Sequence, residues 1–203
     1  MINTIIFDLG GVLININKDA AREEFAKLGL TQWTPELNEQ TLLFETGKIS
    51  ELQFIESFQK YLPNASIEEI RVAWNAIIPT TPIPLYRLEF LQMLSNKYRL
   101  ILLSNTDPMH IDRFQHCAGM SFYRDFYQCF DKIYFSHELG LKKPDIKIFK
   151  LVIDNLELSP KRTLFIDDTK ENTDAAASLG LHVWNIQLDS EDVVDLYKKD
   201  LLE

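Results

Sequence analysis

Apolar and polar positions fall into two kinds of run along the 203-residue chain. Short, nearly continuous apolar stretches recur: "TIIFDLGGVL" at 4–13, "YRLILLSN" at 98–105, "KIYFS" at 132–136, "RTLFIDD" at 162–168 and "LHVWNI" at 181–186. Each is bounded by polar or turn residues, the pattern of strands buried on both faces. Helix-like segments precede the later ones: "PLYRLEFLQMLSNK", "DIKIFKLVIDNLEL" and "KENTDAAASLG". Gly180 is placed to close the last of these helices. Strand alternating with helix predicts an α/β fold, a parallel sheet covered by helices on both faces.

Residues 18 to about 80 break the alternation, with helical patterns and no strand candidate. Ser50-Glu51-Leu52-Gln53 and Ser66-Ile67-Glu68-Glu69 match capping boxes, and Pro35 after Thr34 fits a first-turn proline. Leu42, Leu43 and Phe44, then Phe54, Ile55 and Phe58, then Ile70, Ala73, Trp74 and Ile77 form apolar stripes. The reading is a helical bundle at 17–82 inserted into an α/β domain of residues 1–16 and 83–203. The proline-rich "PTTPIPL" at 79–85 is the return linker.

Composition narrows the class. A hydrophobic content of 46% supports a sizeable core. A net charge of −9 argues against nucleic acid or an acidic membrane surface as partner, though a metal or a few cations can invert the field within one pocket. The two cysteines, Cys117 and Cys129, form no metal-binding pair, and reduced thiols in a cytoplasmic protein are expected. The first apolar stretch is interrupted by Asp8 and lacks a basic lead-in, so no signal peptide is expected. No run is long enough to span a membrane.

Parallel sheets bind ligands at the carboxyl ends of their strands. The residues placed there are Asp8 after the first strand and Ser104, Asn105 and Thr106 after the second. Lys142 and Lys143 in "GLKKPD" follow the third, and Asp167 and Asp168, with Asn172 a helical turn on, follow the fourth. Each alone is an ordinary cap, turn or surface residue. Together they describe a magnesium and phosphate site. Hard carboxylates suit Mg2+, crowded acids need a cation among them, and lysine, hydroxyl and amide donors suit phosphate.

The four segments resemble the four motifs of haloacid dehalogenase-like hydrolases: "IIFDLGGVL", "ILLSNT", "LGLKKPD" and "LFIDDTKEN". The likeness spans residues 4–186 and implies a Rossmann-like core, with 17–82 as the helical cap of that superfamily. "FDLGGVLI", "ETGKIS" and "LSNT" look most like its sugar-phosphatase branch, which includes phosphatases acting on α-glucose 1-phosphate. The resemblance implies a small phosphorylated metabolite as substrate and assigns roles. Asp8 would be the nucleophile and a ligand of Mg2+ with the Gly10 carbonyl and Asp168. Asp167 would hold the metal directly or through water, and Asn172 would support it from behind. Ser104, Asn105 and Thr106 would hold phosphate, and Lys143 would orient phosphate and nucleophile, leaving Lys142 to solvent.

One position departs from the pattern. Most phosphatases of this superfamily carry a second aspartate two residues after the nucleophile, where it protonates the leaving oxygen; this chain has Gly10. Losing a general acid costs a factor of roughly 100 to 10,000, least for an acidic leaving group. The glycine therefore favours sugar 1-phosphates or another activated phosphoester and disfavours a phosphomutase. Glu45 and His137 are candidate replacements by residue type. His110, His116 and His182 fall at ordinary helix, loop or strand positions. Two rivals remain at this level: a 2-haloacid dehalogenase, which leaves the acidic doublet unexplained, and a non-catalytic phosphate-binding regulator. "ETGKIS" at 45–50 is expected to face the site.

Overall fold

The computed structural model describes residues 1–202. In chain order its elements are β1 (Thr4–Phe7), α1 (Ala20–Lys27), α2 (Pro35–Glu45), α3 (Glu51–Gln59), α4 (Ile67–Asn75), α5 (Leu85–Ser95) and β2 (Arg99–Ser104). Then come α6 (Pro108–Ala118), α7 (Met120–Tyr127), β3 (Lys132–Phe135), α8 (Ser136–Leu139), α9 (Ile146–Leu156), β4 (Thr163–Asp167), α10 (Lys170–Ser178) and β5 (His182–Asn185). The five strands form one parallel sheet in the order β3-β2-β1-β4-β5.

Strand alternation divides the core into two layers. Ile5, Phe7, Leu100, Leu102, Leu164 and Ile166 face one cluster, and Ile6, Ile101, Leu103 and Phe165 face the other. Both faces are buried, which explains why the strands read as continuous apolar runs. The chain order reverses at β1, with β2 and β3 on one side and β4 and β5 on the other. Asp8 follows β1 at this switch, and its N–H donates to the Ile166 carbonyl at 2.9 Å. Register alone thus sets Asp8 beside the carboxyl end of β4.

The inserted helices α1–α4 have a separate core, built on Phe25, Leu37, Phe44, Phe54, Phe58, Ile70 and Trp74. Phe25 stacks on Phe58 and Phe44 on Phe54, each with ring centroids 4.4 Å apart. Both capping boxes form at Ser50 and Ser66, and Thr34 Oγ1 accepts from Leu37 N–H ahead of the Pro35 start. Helix α10 ends in a Schellman motif: Gly180 N–H donates to the Ala177 carbonyl and Leu181 N–H to that of Ala176, with Gly180 at φ +85°. The apolar pattern names no helix between Asp107 and Gln128, whereas the structure has two. The first begins on an Asp107 cap with Pro108 at the first helical position. Among the described residues, no helix is long and apolar enough to cross a membrane.

Candidate functional site

Asp8, Asp167 and Asp168 each present a carboxylate oxygen within 4.8 Å of the others. Behind them lies Lys143, 1% exposed, with Nζ donating to Asp8 Oδ1 at 2.7 Å and to Asp167 Oδ2 at 2.7 Å. Burial would strip the Lys143 charge, but the two carboxylates outweigh it and hold the ammonium above its usual range. For Asp8 burial wins. Its pKa is pushed up to about 6, with Asp167 adding to the rise and Lys143 opposing it. One buried ammonium does not neutralise three acids, so the cluster fits a divalent cation, whose charge restores the ionised form of Asp8.

The two members of the acidic doublet do different things. Asp167 is fully buried and saturated: it accepts from Lys143 Nζ, from Asn172 Nδ2 at 3.0 Å and from Thr169 N–H at 2.8 Å. Asp168 faces the opening, where exposed Lys18 reaches its Oδ2 at 2.6 Å. Gly11 permits that arrangement. Its φ is +87°, and a Cβ there would stand 3.2 Å from Asp168 Oδ2 and 2.9 Å from Leu188 Cδ1. Gly10 is different: a Cβ would meet Ile16 Cδ1 at 3.2 Å. Ile16 fills the space that a longer side chain at position 10 would enter.

The loop after β2 is built into the frame. Ser104 and Thr106 are buried. Asn105 Nδ2 donates to the Lys143 carbonyl at 2.8 Å, and Lys143 N–H donates to Asn105 Oδ1 at 2.9 Å. Thr106 N–H donates to Ser136 Oγ at 2.9 Å, and that hydroxyl donates in turn to the Glu45 carbonyl at 2.6 Å. Ser136 therefore ties this loop to the inserted helices, a role that no local sequence signal carries.

"ETGKIS" does reach the site. Gly47, at φ +64°, sits so close that a Cβ would lie 2.0 Å from the His137 carbonyl oxygen. Lys142, expected in solvent, instead ion-pairs with Glu45 across the gap; adjacent lysines look alike until the partner surface is known. His137 packs flat on Phe135 with Nδ1 3.0 Å from the Thr106 carbonyl.

Two cavities meet above the loop. One of about 70 Å3 is mainly apolar, walled by Leu9, Ile14, Ile16, Ile77, Ile78, Ile111 and Phe114, and also touches Gly10, Ser104, Asn105, Thr106 and His110. The other, about 250 Å3, lies under the inserted helices against Lys18, Arg22, Asn38, Thr41, Glu45, Trp74, Asn105 and His110. His110 is common to both and was not singled out by sequence. Its one local signal is the Asp107-x-x-His110 spacing at a helix start. Its Nδ1 lies 2.8 Å from Asp107 Oδ2, and its Nε2 lies 3.0 Å from the Trp74 carbonyl. Cys117 and Cys129 are both free thiols.

Comparison with known proteins follows the same lines. Residues 2–180 match the family described as haloacid dehalogenase-like hydrolase. A D-ribitol-5-phosphate phosphatase of Bacteroides thetaiotaomicron is 32% identical over 194 residues, covering 91% of each chain. The crystal structure of a HAD family enzyme from Bacteroides thetaiotaomicron, in complex with magnesium and inorganic phosphate, superposes with a TM-score of 0.83 at 31% identity, covering 97% of this chain and 100% of that one. A HAD-like family hydrolase from Porphyromonas gingivalis gives 0.81 at 30% identity, covering 98% and 97%.

Proposed function

The chain belongs to the haloacid dehalogenase-like hydrolase family, as a phosphoric monoester hydrolase that uses Mg2+, and we propose that its substrate is a small phosphorylated sugar or polyol, cleaved through an aspartyl-phosphate on Asp8. The observation that carries this reading is the contact of buried Lys143 with Asp8 and Asp167 at the sheet's switch point.

Asp8 is the nucleophile. A carboxylate needs no partner base once ionised, and the lysine fixes one oxygen so that the other faces the ligand. Asp8, the Gly10 carbonyl and Asp168 would hold the metal directly, while Asp167, its oxygens already engaged by Lys143, Thr169 and Asn172, would reach it through water, with Asn172 orienting Asp167. Bound Mg2+ supplies charge to offset the carboxylates and the developing charge on phosphate. Ser104, Asn105 and Thr106, at the carboxyl end of β2 next to β1, hold the phosphate, with Lys143 orienting it. Residues 17–82 act as the cap. The cavity beneath them presents an amide, a hydroxyl, a carboxylate and a guanidinium from Asn38, Thr41, Glu45 and Arg22, a lining suited to several hydroxyl groups. The relative named for ribitol 5-phosphate supports a polyhydroxylated leaving group; the absence of a side chain at Gly10 favours an activated 1-phosphate within that class.

Phosphate release from sugar 1-phosphates, sugar 6-phosphates and pentitol phosphates, with Mg2+ and then with EDTA, tests the reading. Turnover is expected on at least one class, lost with EDTA and lost in Asp8→Asn. Turnover that survives chelation would overturn it.

A further inference from the structure

His110 occupies the junction of the two cavities, between Gly10 and the loop after β2 on one side and the inserted helices on the other. Both ring nitrogens face acceptors: the Asp107 carboxylate at 2.8 Å and the Trp74 carbonyl at 3.0 Å. Neutral imidazole can donate from only one nitrogen, so this arrangement asks for the imidazolium. Burial works against the charge, but Asp107 and the Trp74 carbonyl outweigh it and raise the pKa above the ordinary histidine value; Glu45, from α2, adds to the rise. Asp107 is itself fully buried and also accepts from Trp74 Nε1 at 3.1 Å. A cation at the start of α6 is disfavoured by that helix's dipole. The fold nevertheless spends a buried carboxylate to keep one there.

The Trp74 carbonyl belongs to the last turn of α4, where helix carbonyls have no partner in their own helix. It also belongs to the inserted helices, whereas His110 belongs to the α/β core. The bond from Nε2 therefore crosses between the two parts, while the bond from Nδ1 to Asp107 lies within one helix start. Meanwhile Ile16 fills the space beside Gly10 where the family's usual acid would project.

We propose that His110 serves the leaving oxygen in place of the side chain that Gly10 lacks, its Nε2–H exchanging the Trp74 carbonyl for the oxygen that departs from phosphorus. This rests on the phosphatase reading above. In the first half-reaction an Asp8 oxygen bonds to phosphorus, the bond to the leaving oxygen breaks with its electron pair, and that oxygen takes the Nε2 proton. In the second, water attacks phosphorus, returns a proton to Nε2 and displaces the Asp8 carboxylate. Asp107 keeps the Nδ1 proton throughout and holds the ring; it is a positioning residue.

The test compares two phosphate esters on one preparation of each variant with Mg2+: p-nitrophenyl phosphate, whose phenolate leaves unaided, and glycerol phosphate, whose alkoxide does not. The ratio of the two kcat/KM values is independent of how much of the protein is folded. In His110→Gln the loss on the alkyl ester is expected to exceed that on the aryl ester by about 100-fold, within the range a general acid contributes. Asp107→Asn, which removes the charge and keeps the shape, is expected to move the ratio the same way by less. Equal losses on both esters would reduce His110 to a structural bridge and overturn the proposal. A wild-type protein without phosphatase activity on any ester would instead overturn the reading beneath it.

Discussion

Asn105 and Lys143 grip one another through a side-chain amide and a peptide backbone, donating in opposite directions at 2.8 and 2.9 Å. The pairing joins the loop after β2 to the loop before α9, and so aims the lysine at Asp8. Asn105→Ala removes both bonds and strands a backbone N–H and C=O. The expected cost is about 1–3 kcal/mol. Urea unfolding at neutral pH measures it, and activity is expected to fall further than stability because the Lys143 ammonium is no longer aimed.

Removing the lysine itself is harsher. Lys143→Met leaves Asp8 and Asp167 facing each other with no buried counter-charge, and a broken buried pair costs about 3–5 kcal/mol. Activity is expected to vanish. Added Mg2+ is expected to raise the thermal midpoint of this variant more than that of wild type, because the cation then carries the whole compensation.

Metal linkage separates the two adjacent acids. Free metal at 100 times its dissociation constant stabilises by about 2.7 kcal/mol. Asp168→Asn is expected to abolish the Mg2+-induced rise in midpoint while leaving the metal-free protein near wild type, since among the described residues Asp168 has only exposed Lys18 as an ion-pair partner. Asp167→Asn is expected to destabilise the metal-free protein, because Asp167 anchors Lys143, Asn172 and Thr169 from full burial. Scanning calorimetry with and without Mg2+ reads both.

Much of this was legible in one dimension because it is one-dimensional physics. Asp8 interrupts an apolar run, and the strand-end residues fall on one rim wherever a parallel sheet forms. The Ser50 and Ser66 boxes and the Gly180 closure are local motifs, and all appear as read. The Asp8, Asp167 and Asp168 cluster also appears as read. What stayed hidden depends on partners far along the chain. Lys142 reads as a solvated neighbour of Lys143 until α2 brings Glu45 to it. His110 reads as an ordinary helix, loop or strand residue until the last turn of α4 offers a carbonyl 36 positions away. That Ile16 fills the space beside Gly10 depends on the path of the chain after β1, on which the glycine's neighbours carry no signal.

Two glycines of similar backbone make a controlled comparison. Gly47 and Gly140 have φ of +64° and +69°. A Cβ at Gly140 meets nothing within 4 Å, whereas at Gly47 it would lie 2.0 Å from a backbone oxygen of His137. Gly140→Ala is expected to cost only the left-handed strain, about 1–2 kcal/mol, with KM near wild type. Gly47→Ala must push the turn after α2, and with it Glu45 at that helix's end, away from the core. It is expected to raise KM several-fold, beyond what its own backbone strain does to stability.

The Asp107–His110 pair sets a pH signature in stability. Burial alone would raise the Asp107 pKa, but His110, reinforced by the Trp74 indole N–H, wins and holds it below the ordinary 3.8. The same pairing holds His110 above the ordinary 6.5. Stability from the raised histidine is complete below about pH 6.5 and is lost as pH climbs through its folded value. Stability from the lowered aspartate is complete above about pH 3.8 and is lost as pH falls through its folded value. The two overlap between those limits, with Glu45 the further acid that favours the charged ring. The difference in unfolding free energy between wild type and His110→Gln is therefore expected to peak between about pH 4 and 6.5 and to narrow on either side. Urea titrations of both proteins at half-unit pH steps measure it. A difference that is flat from pH 4 to 9 would mean that His110 is neutral in the folded protein.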